Sequence, residues 1–206
     1  MAEKPEESVA AQTPEGDLPD FDKKHPLEHR WTLWFDNPLA KQTTTAFGQT
    51  LRPVHTFATV EDFWCLYNNI RTPGHLIPNA TFYLFKEGIE PKWEDAKNVN
   101  GGCWTVSLNR GGSSKQQIDA WWLNSVMATI GEQFTEGDEI CGVAVNIRQK
   151  GDRIEMWTRT SSNEAAQTSI GKQLRQFLDI PDSQRIGFSV FAEKLTSSKA
   201  KDKYMV

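Results

Sequence analysis

Trp93 and Glu94, adjacent in Ile89-Glu90-Pro91-Lys92-Trp93-Glu94-Asp95, set an aromatic plane beside a carboxylate. Pro91 and the flanking charges predict a loop there, so the indole projects from backbone that is not deep core. Such a pair can read a nucleobase. Stacking is worth about 1–3 kcal/mol per base and is nearly indifferent to which base it is. A cationic ring would gain roughly 0.5–2 kcal/mol more from the faces of Trp93 and of Phe47, a loop aromatic with no evident core role. Ionised, Glu94 can accept two hydrogen bonds from the donor edge of guanine, a pair that adenine lacks. A buried Glu94 left unpaired would penalise adenine by more than the pair gains.

A second constellation lies in the predicted hairpin over 140–159. Period-two alternation puts Cys141, Val143, Val145 and Ile147 on one face, and Asn146 and Arg148 on the other. On the return strand Ile154 and Met156 point to the core, leaving Arg153, Glu155, Trp157 and Arg159 opposite. With Lys150-Gly151 as a two-residue turn, Arg148 and Arg153 face each other across the strands. Like charges so placed repel. A bound phosphate would turn that repulsion into charge-assisted hydrogen bonds, with Trp157 as an apolar wall. The competing reading is a solvated basic hairpin with a half-buried Trp. Together the two constellations describe a site for a charged aromatic ring carrying phosphates.

A sheet has to hold them. Alternating runs at 28–36, 51–58, 80–86, 103–109, 140–148, 152–159 and 185–191 predict strands, with Trp34 on the wet side of the first. Three helices separate them. The first follows a capping box from Thr59 to Asp62. The second runs from Ser114, capped through Gln117, to Ile130 before Gly131. The third runs from about Asn163 to Leu178. On the second, the apolar positions cover roughly 240° of the circumference against the ~100° a core-facing helix needs, so part is left for a partner. This order predicts an α+β domain over 25–206, helices on one face of an antiparallel sheet and the other face open to ligand.

Composition narrows the function. Residues 1–24 hold seven acidic side chains against three lysines and few large apolar groups, which predicts a disordered acidic tail. That tail accounts for the net charge of −4, and the remaining 20 acidic and 20 basic residues balance. A protein that grips long nucleic acid without reading it is strongly basic, so a bound polyanion here is short or locally read. No run is long and apolar enough to span a membrane, and no signal peptide is evident. Cys65, Cys103 and Cys141 lack metal-ligand spacing and are expected to be inert thiols. The four histidines fall near termini or loops, and no nucleophile elbow, P-loop or metal cluster is present, which argues against an enzyme or a cofactor. A carbohydrate-binding module would have the exposed aromatics but no use for paired arginines.

Several blocks carry a family likeness: His25-Pro26-Leu27 with Trp31 and Trp34-Phe35, Thr59-Val60-Glu61-Asp62-Phe63-Trp64, Phe85 to Asp95, Gly131-Glu132-Gln133-Phe134, Ile140-Cys141-Gly142-Val143 and Asn163-Glu164-Ala165-Ala166-Gln167. They resemble the translation initiation factor 4E family of messenger-RNA cap-binding proteins, the last block being similar to plant members. The resemblance implies a strongly curved antiparallel sheet of about eight strands, three helices on its convex face and a cap site in the concave face. It implies that cationic 7-methylguanine is sandwiched by Phe47 and Trp93 and that Glu94 takes its edge. Trp157 would lie near the methyl group, and Arg148, Arg153 and Lys150 would hold the triphosphate. It further implies a monomer, cytoplasmic and also nuclear. A scaffold protein of the initiation factor 4G type would dock a Tyr/Leu helix across His25, Pro26, Val60, Trp64, Leu123, Asn124 and Met127, while a repressor paralogue would bind caps without recruiting it.

There are departures from the family pattern. Phe47 stands where Trp is usual, Cys103 where a basic residue is common, and Asn124 where an acidic one is frequent. Ser197, Ser198, Lys199, Lys201 and Lys203 resemble a mobile basic flap.

Overall fold

The computed structural model describes residues 23–39, 50–109, 111–196 and 201–206. Eight strands form one antiparallel sheet: β1 Pro26–Asp36, β2 Leu51–Thr59, β3 Thr81–Lys86, β4 Gly102–Leu108, β5 Ile140–Asn146, β6 Asp152–Thr158, β7 Gly187–Val190 and β8 Tyr204–Met205. Their spatial order is β2-β1-β3-β5-β6-β4-β7-β8. The helices are α1 Val60–Asn68, α2 Ser114–Ile130, α3 Glu164–Phe177 and a short α4 Phe191–Thr196. The curved α+β architecture is the expected one. The two-residue β8 and six-residue α4 were not foreseen, being too short to show a period.

Local chemistry sets most boundaries. Thr59 Oγ1 accepts from Asp62 N at 3.2 Å, starting α1 as its sequence predicts. Asn163 Oδ1 does the same for Ala166 N at 3.2 Å, starting α3. At α2 the predicted cap is absent. The N-cap is Ser113, whose side chain makes no capping bond, and Ser114 Oγ donates to Gly111 O at 2.9 Å. Apolar packing therefore holds this helix start without a side-chain cap. Ile118, Trp121, Trp122 and Val126 of α2 are all buried, so most of its wide apolar arc is spent on the sheet, leaving Leu123 half-buried and Met127 exposed. Close approach of α3 depends on Gly171, where a Cβ would lie 2.6 Å from the Trp104 ring.

Both faces of the sheet are covered. Between the sheet and α1, α2 and α3 lies the main core, with Trp31, Leu33, Phe82, Leu84, Trp104, Val143, Val145, Ile154 and Met156. On the opposite face Leu51, Tyr83, Phe85, Cys103, Cys141, Ala144, Trp157 and Phe191 form a second buried cluster, with Trp34, Ile89 and Trp93 packed against it. This corrects the expectation of a wholly open face and of a wet Trp34, which is half-buried there. It also explains why the 80–86 run, expected to alternate, is apolar on both sides: Phe82 and Leu84 face the helices while Tyr83 and Phe85 face the other way. Cys141 changes sides as well. A bulge between Ile140 and Gly142 breaks the alternation, placing Cys141 in the second cluster rather than beside Val143.

Candidate functional site

The concave face carries a groove of about 270 Å³ whose lining includes Asp36, Tyr83, Trp93, Asn146, Arg148, Arg153, Glu155, Trp157 and Lys194. Its aromatic part rests on the second cluster. Trp93 is half-buried and stacks on Phe191 with ring centroids 6.1 Å apart and planes 16° apart. Trp157 meets Phe191 at 4.4 Å and Phe85 at 5.3 Å. Trp157 is therefore buried, at 4% exposure, and not the exposed wall that strand alternation predicts. Its face is right, but neighbouring rings close over most of it.

The loop bearing Trp93 is held by two residues that sequence reasoning passed over. Asp95 accepts from Glu90 N at 3.0 Å and Lys97 N at 2.8 Å, while buried Asn98 donates to Glu90 O and Lys92 O at 2.8 Å each. Asx-type bonding of this sort stiffens a turn without secondary structure, and Asp and Asn inside a charged loop were its only signal. Glu94 is exposed and does not line the groove. The expectation of a carboxylate buried by the protein fails, since nothing in that loop folds over it. Phe47 lies outside the described residues.

Arg148 and Arg153 both reach the groove, but not as cross-strand partners. Arg153 pairs in register with Asn146, and Arg148 lies beyond the end of β5 because residues 147–151 form a longer connection than the expected two-residue turn. The guanidinium of Arg148 donates to Ala80 O at 3.2 Å, Ile147 O at 3.0 Å, Thr81 Oγ1 at 3.2 Å and Asn146 Oδ1 at 2.8 Å. It is half-buried, and burial first, then the nearby Arg153, pull its pKa down. Arg153 is more open and sits 3.9 Å from Glu155, whose other oxygen accepts from Trp157 Nε1 at 3.4 Å. Burial and then Glu155 raise the pKa of Tyr83, so its phenol stays protonated. Lys150 is exposed and lines an adjoining cavity of about 500 Å³ shared with Asn79, Arg148 and Arg153. One face thus offers rings at one end and cations at the other.

On the helix face, His25, Pro26, Val60, Asn124 and Met127 are exposed, whereas Trp64 and Leu123 are half-buried. Val60 N donates to His25 O at 2.9 Å and His25 N to Glu61 Oε2 at 2.8 Å, joining the start of β1 to α1. Trp64 leans on Phe63 and Tyr67, with centroids 4.9 and 5.8 Å away. Asn124 donates to Phe177 O at 3.2 Å, so it braces α3. His55 lies within β2 and His29 within β1, inside the runs 51–58 and 28–36 predicted as strands.

The profile of the eukaryotic initiation factor 4E family matches residues 26–205. The chain belongs to that family. Factor 4E-1 of Triticum aestivum is 54% identical over 183 residues, covering 88% of this chain and 82% of the relative. That of Solanum lycopersicum is 52% identical, covering 89% and 77%. Among solved structures, Caenorhabditis elegans eIF4E-3 in complex with the 4E-binding protein Mextli and a cap analog superposes with a TM-score of 0.82 at 40% identity, covering 89% of this chain and 100% of that one. Ascaris suum eIF4E-3 with an m7G cap gives 0.82 and 40%, covering 89% and 98%. Within the factor 4E fold, α4 brings Lys194 into the groove lining and places the buried Phe191 beneath Trp93, although the predicted strand run 185–191 stops at the first residue of this helix. No helix among the described residues is long and apolar enough to cross a membrane.

Proposed function

We propose that this chain binds the 7-methylguanosine 5′ cap of messenger RNA in the concave groove and recruits a scaffold protein through its helix face to start translation. The carrying observation is one groove that joins a half-buried tryptophan, Trp93, to two arginines, Arg148 and Arg153. The cationic purine stacks on Trp93, with Phe47 as the second ring, and its donor edge meets Glu94, the next residue along. The ligand itself then buries the carboxylate, so the cost of leaving Glu94 unpaired falls on adenine, as the sequence suggests. Arg148 and Arg153 take the triphosphate by charge-assisted hydrogen bonds, with Lys150 beside them, and Trp157 backs the ring. The role is binding rather than catalysis. It is carried out by a monomer, in the cytoplasm where messages are translated and in the nucleus where capped transcripts arise.

On the opposite face His25, Pro26, Val60, Trp64, Leu123, Asn124 and Met127 receive an amphipathic Tyr/Leu helix, with Trp64 the residue whose truncation costs most. Retention on a methylated-GTP resin, with release by methylated but not plain GTP, tests the cap reading. Equal release by both would reject it. Capture of a scaffold peptide that Trp64→Ala abolishes tests recruitment, and failure of the intact chain to capture it would point to a repressor.

A further inference from the structure

The cavity of about 500 Å³ that adjoins the groove is larger than the groove itself, at about 270 Å³. Two chain segments build it. The end of β4 supplies Ser107 and, just beyond the strand, Asn109, while the connection from β5 to β6 supplies Gln149 and Lys150. Ser107 pairs in register with Arg153, which carries the cavity one strand beyond the groove, from β6 to β4. Arg148 and Arg153 line both cavities. None of Ser107, Asn109 and Gln149 is among the expected site residues.

The lining selects the chemistry of an occupant. Arg148, Lys150 and Arg153 line the cavity, and no carboxylate among the described residues does, whereas the groove sets Asp36 and Glu155 against its own cations. Asp152, beside Arg153 in sequence, is buried with Oδ1 accepting from Arg148 N at 3.0 Å, and it lines a different cavity. Positive charge therefore grows from the ring end of the groove toward the second cavity, in a chain whose net charge is −4. Asn109, Gln149 and Lys150 are exposed, and their side chains have no hydrogen-bond or ion-pair partner among the described residues. Amides offer donors to phosphate oxygens and both donors and acceptors to hydroxyls. No aromatic ring lines the cavity, so it gives a base no stacking plane and suits ribose and phosphate instead.

We infer that this second cavity receives the sugar–phosphate backbone of the nucleotides that follow the cap, with Asn109 and Gln149 as its ligands from the protein. It rests on the cap reading above and extends it from the cap to the first stretch of the RNA body. A phosphate bridge lying on the two shared arginines delivers whatever is joined to its far end to the mouth of the second cavity. Backbone contacts of this kind fix the course of a strand without reading its sequence. The cap is thus discriminated in one cavity, and the start of any message is held in the next.

The test is a titration of intrinsic Trp fluorescence in the full chain with methylated GTP, the methylated cap dinucleotide and short capped oligoribonucleotides, for the unmodified protein and the double variant Asn109→Ala, Gln149→Ala. The unmodified chain should bind a capped oligonucleotide about three- to tenfold more tightly than the dinucleotide, which has the same triphosphate bridge. Its log K should fall more steeply with log salt, by roughly 0.7 for each further phosphate seated. The gain should be the same for unrelated sequences after the cap. The double variant should lose most of that gain and keep methylated-GTP affinity within about twofold. Equal affinity for dinucleotide and oligonucleotide in the unmodified chain overturns the inference. So does a gain that survives in the double variant, or an equal loss for methylated GTP and oligonucleotide, which would make the two amides props for the strand ends. Should the double variant fail to fold, the side-chain amide resonances of Asn109 and Gln149 in the unmodified chain decide the matter. They should move further with the oligonucleotide than with the dinucleotide, and signals that do not would reject the site. If the unmodified chain holds plain and methylated GTP alike, the cap reading falls and this inference with it; if it prefers methylated GTP but gains nothing from the oligonucleotide, only the second cavity loses its role.

Discussion

Replacing Arg148 and Arg153 singly by alanine should separate two residues that look equivalent in sequence. Arg148 donates four hydrogen bonds of 2.8–3.2 Å that tie the end of β5 to the start of β3. Arg153, with 41% of its side chain exposed, has one loose contact at 3.9 Å to Glu155. Hydrogen bonds to a charged group contribute about 1.5–3 kcal/mol each when the partner left behind stays dry. Four bonds from one half-buried group do not add, and water replaces part of them, so Arg148→Ala should cost about 2–4 kcal/mol. Arg153→Ala should cost at most ~1 kcal/mol, as exposed ion pairs do. At roughly 2–4 °C per kcal/mol for a domain of this size, the first variant melts about 5–15 °C lower and the second only a few degrees lower. Urea denaturation reads the same difference as a shifted midpoint at constant slope. On the cap reading proposed above, both variants should lose methylated-GTP affinity, because each would offer a cation to the same phosphates. Arg148→Lys should fall between, since a point-like ammonium cannot span the acceptors that the planar fork reaches. Equal unfolding midpoints for the two alanine variants would refute the staple.

Three further outcomes follow from the geometry. Gly171→Ala should destabilise by about 1–3 kcal/mol in urea unfolding despite the ~1 kcal/mol helix-propensity gain, because the new methyl would lie 2.6 Å from the Trp104 ring; a stabilised variant would show that α3 can slide away. The Glu61 carboxyl is held down to about 2, first by the His25 ring and then by the His25 backbone N–H. Its folded pKa lies below its unfolded one, so its contribution is complete above about pH 4.5 and disappears as pH falls through about 2; an NMR titration midpoint near 4.5 would contradict the contact. Cys103 and Cys141 are buried, with burial raising their pKa to about 11 and about 12, whereas Cys65 is exposed. A thiol reagent at pH 8 should therefore find one fast-reacting group in the native chain and three in denaturant, and two fast thiols would mean that the second cluster opens.

The sequence made the sheet, the three long helices and the chemical types at the site legible because each rests on a local signal. Thr59 and Asn163 announce helix starts within three residues, and Pro91 among charges announces a loop. Its errors share one cause. Alternation assigns a residue to a face but does not say what covers that face, and it assumes an unbroken register. The bulge at Cys141 and the five-residue connection before Asp152 break the register, so Cys141 changes sides and Arg148 slides past Arg153. Trp157 keeps its face yet is buried, because Phe85, Phe191 and Tyr83 converge on it from separate elements.

That convergence has a physical reason. A ring such as Trp93 can grip a ligand on one side only if something rigid supports the other. In this chain the support is Phe191, itself wedged against Trp157. An aromatic site of this kind therefore requires a second apolar cluster beneath it, and the six-residue helix that supplies Phe191 also delivers Lys194 to the groove lining beside Arg148 and Arg153. The local sequence of α4 shows neither duty, because both exist only once β7 has paired with β4 and carried the helix across the groove.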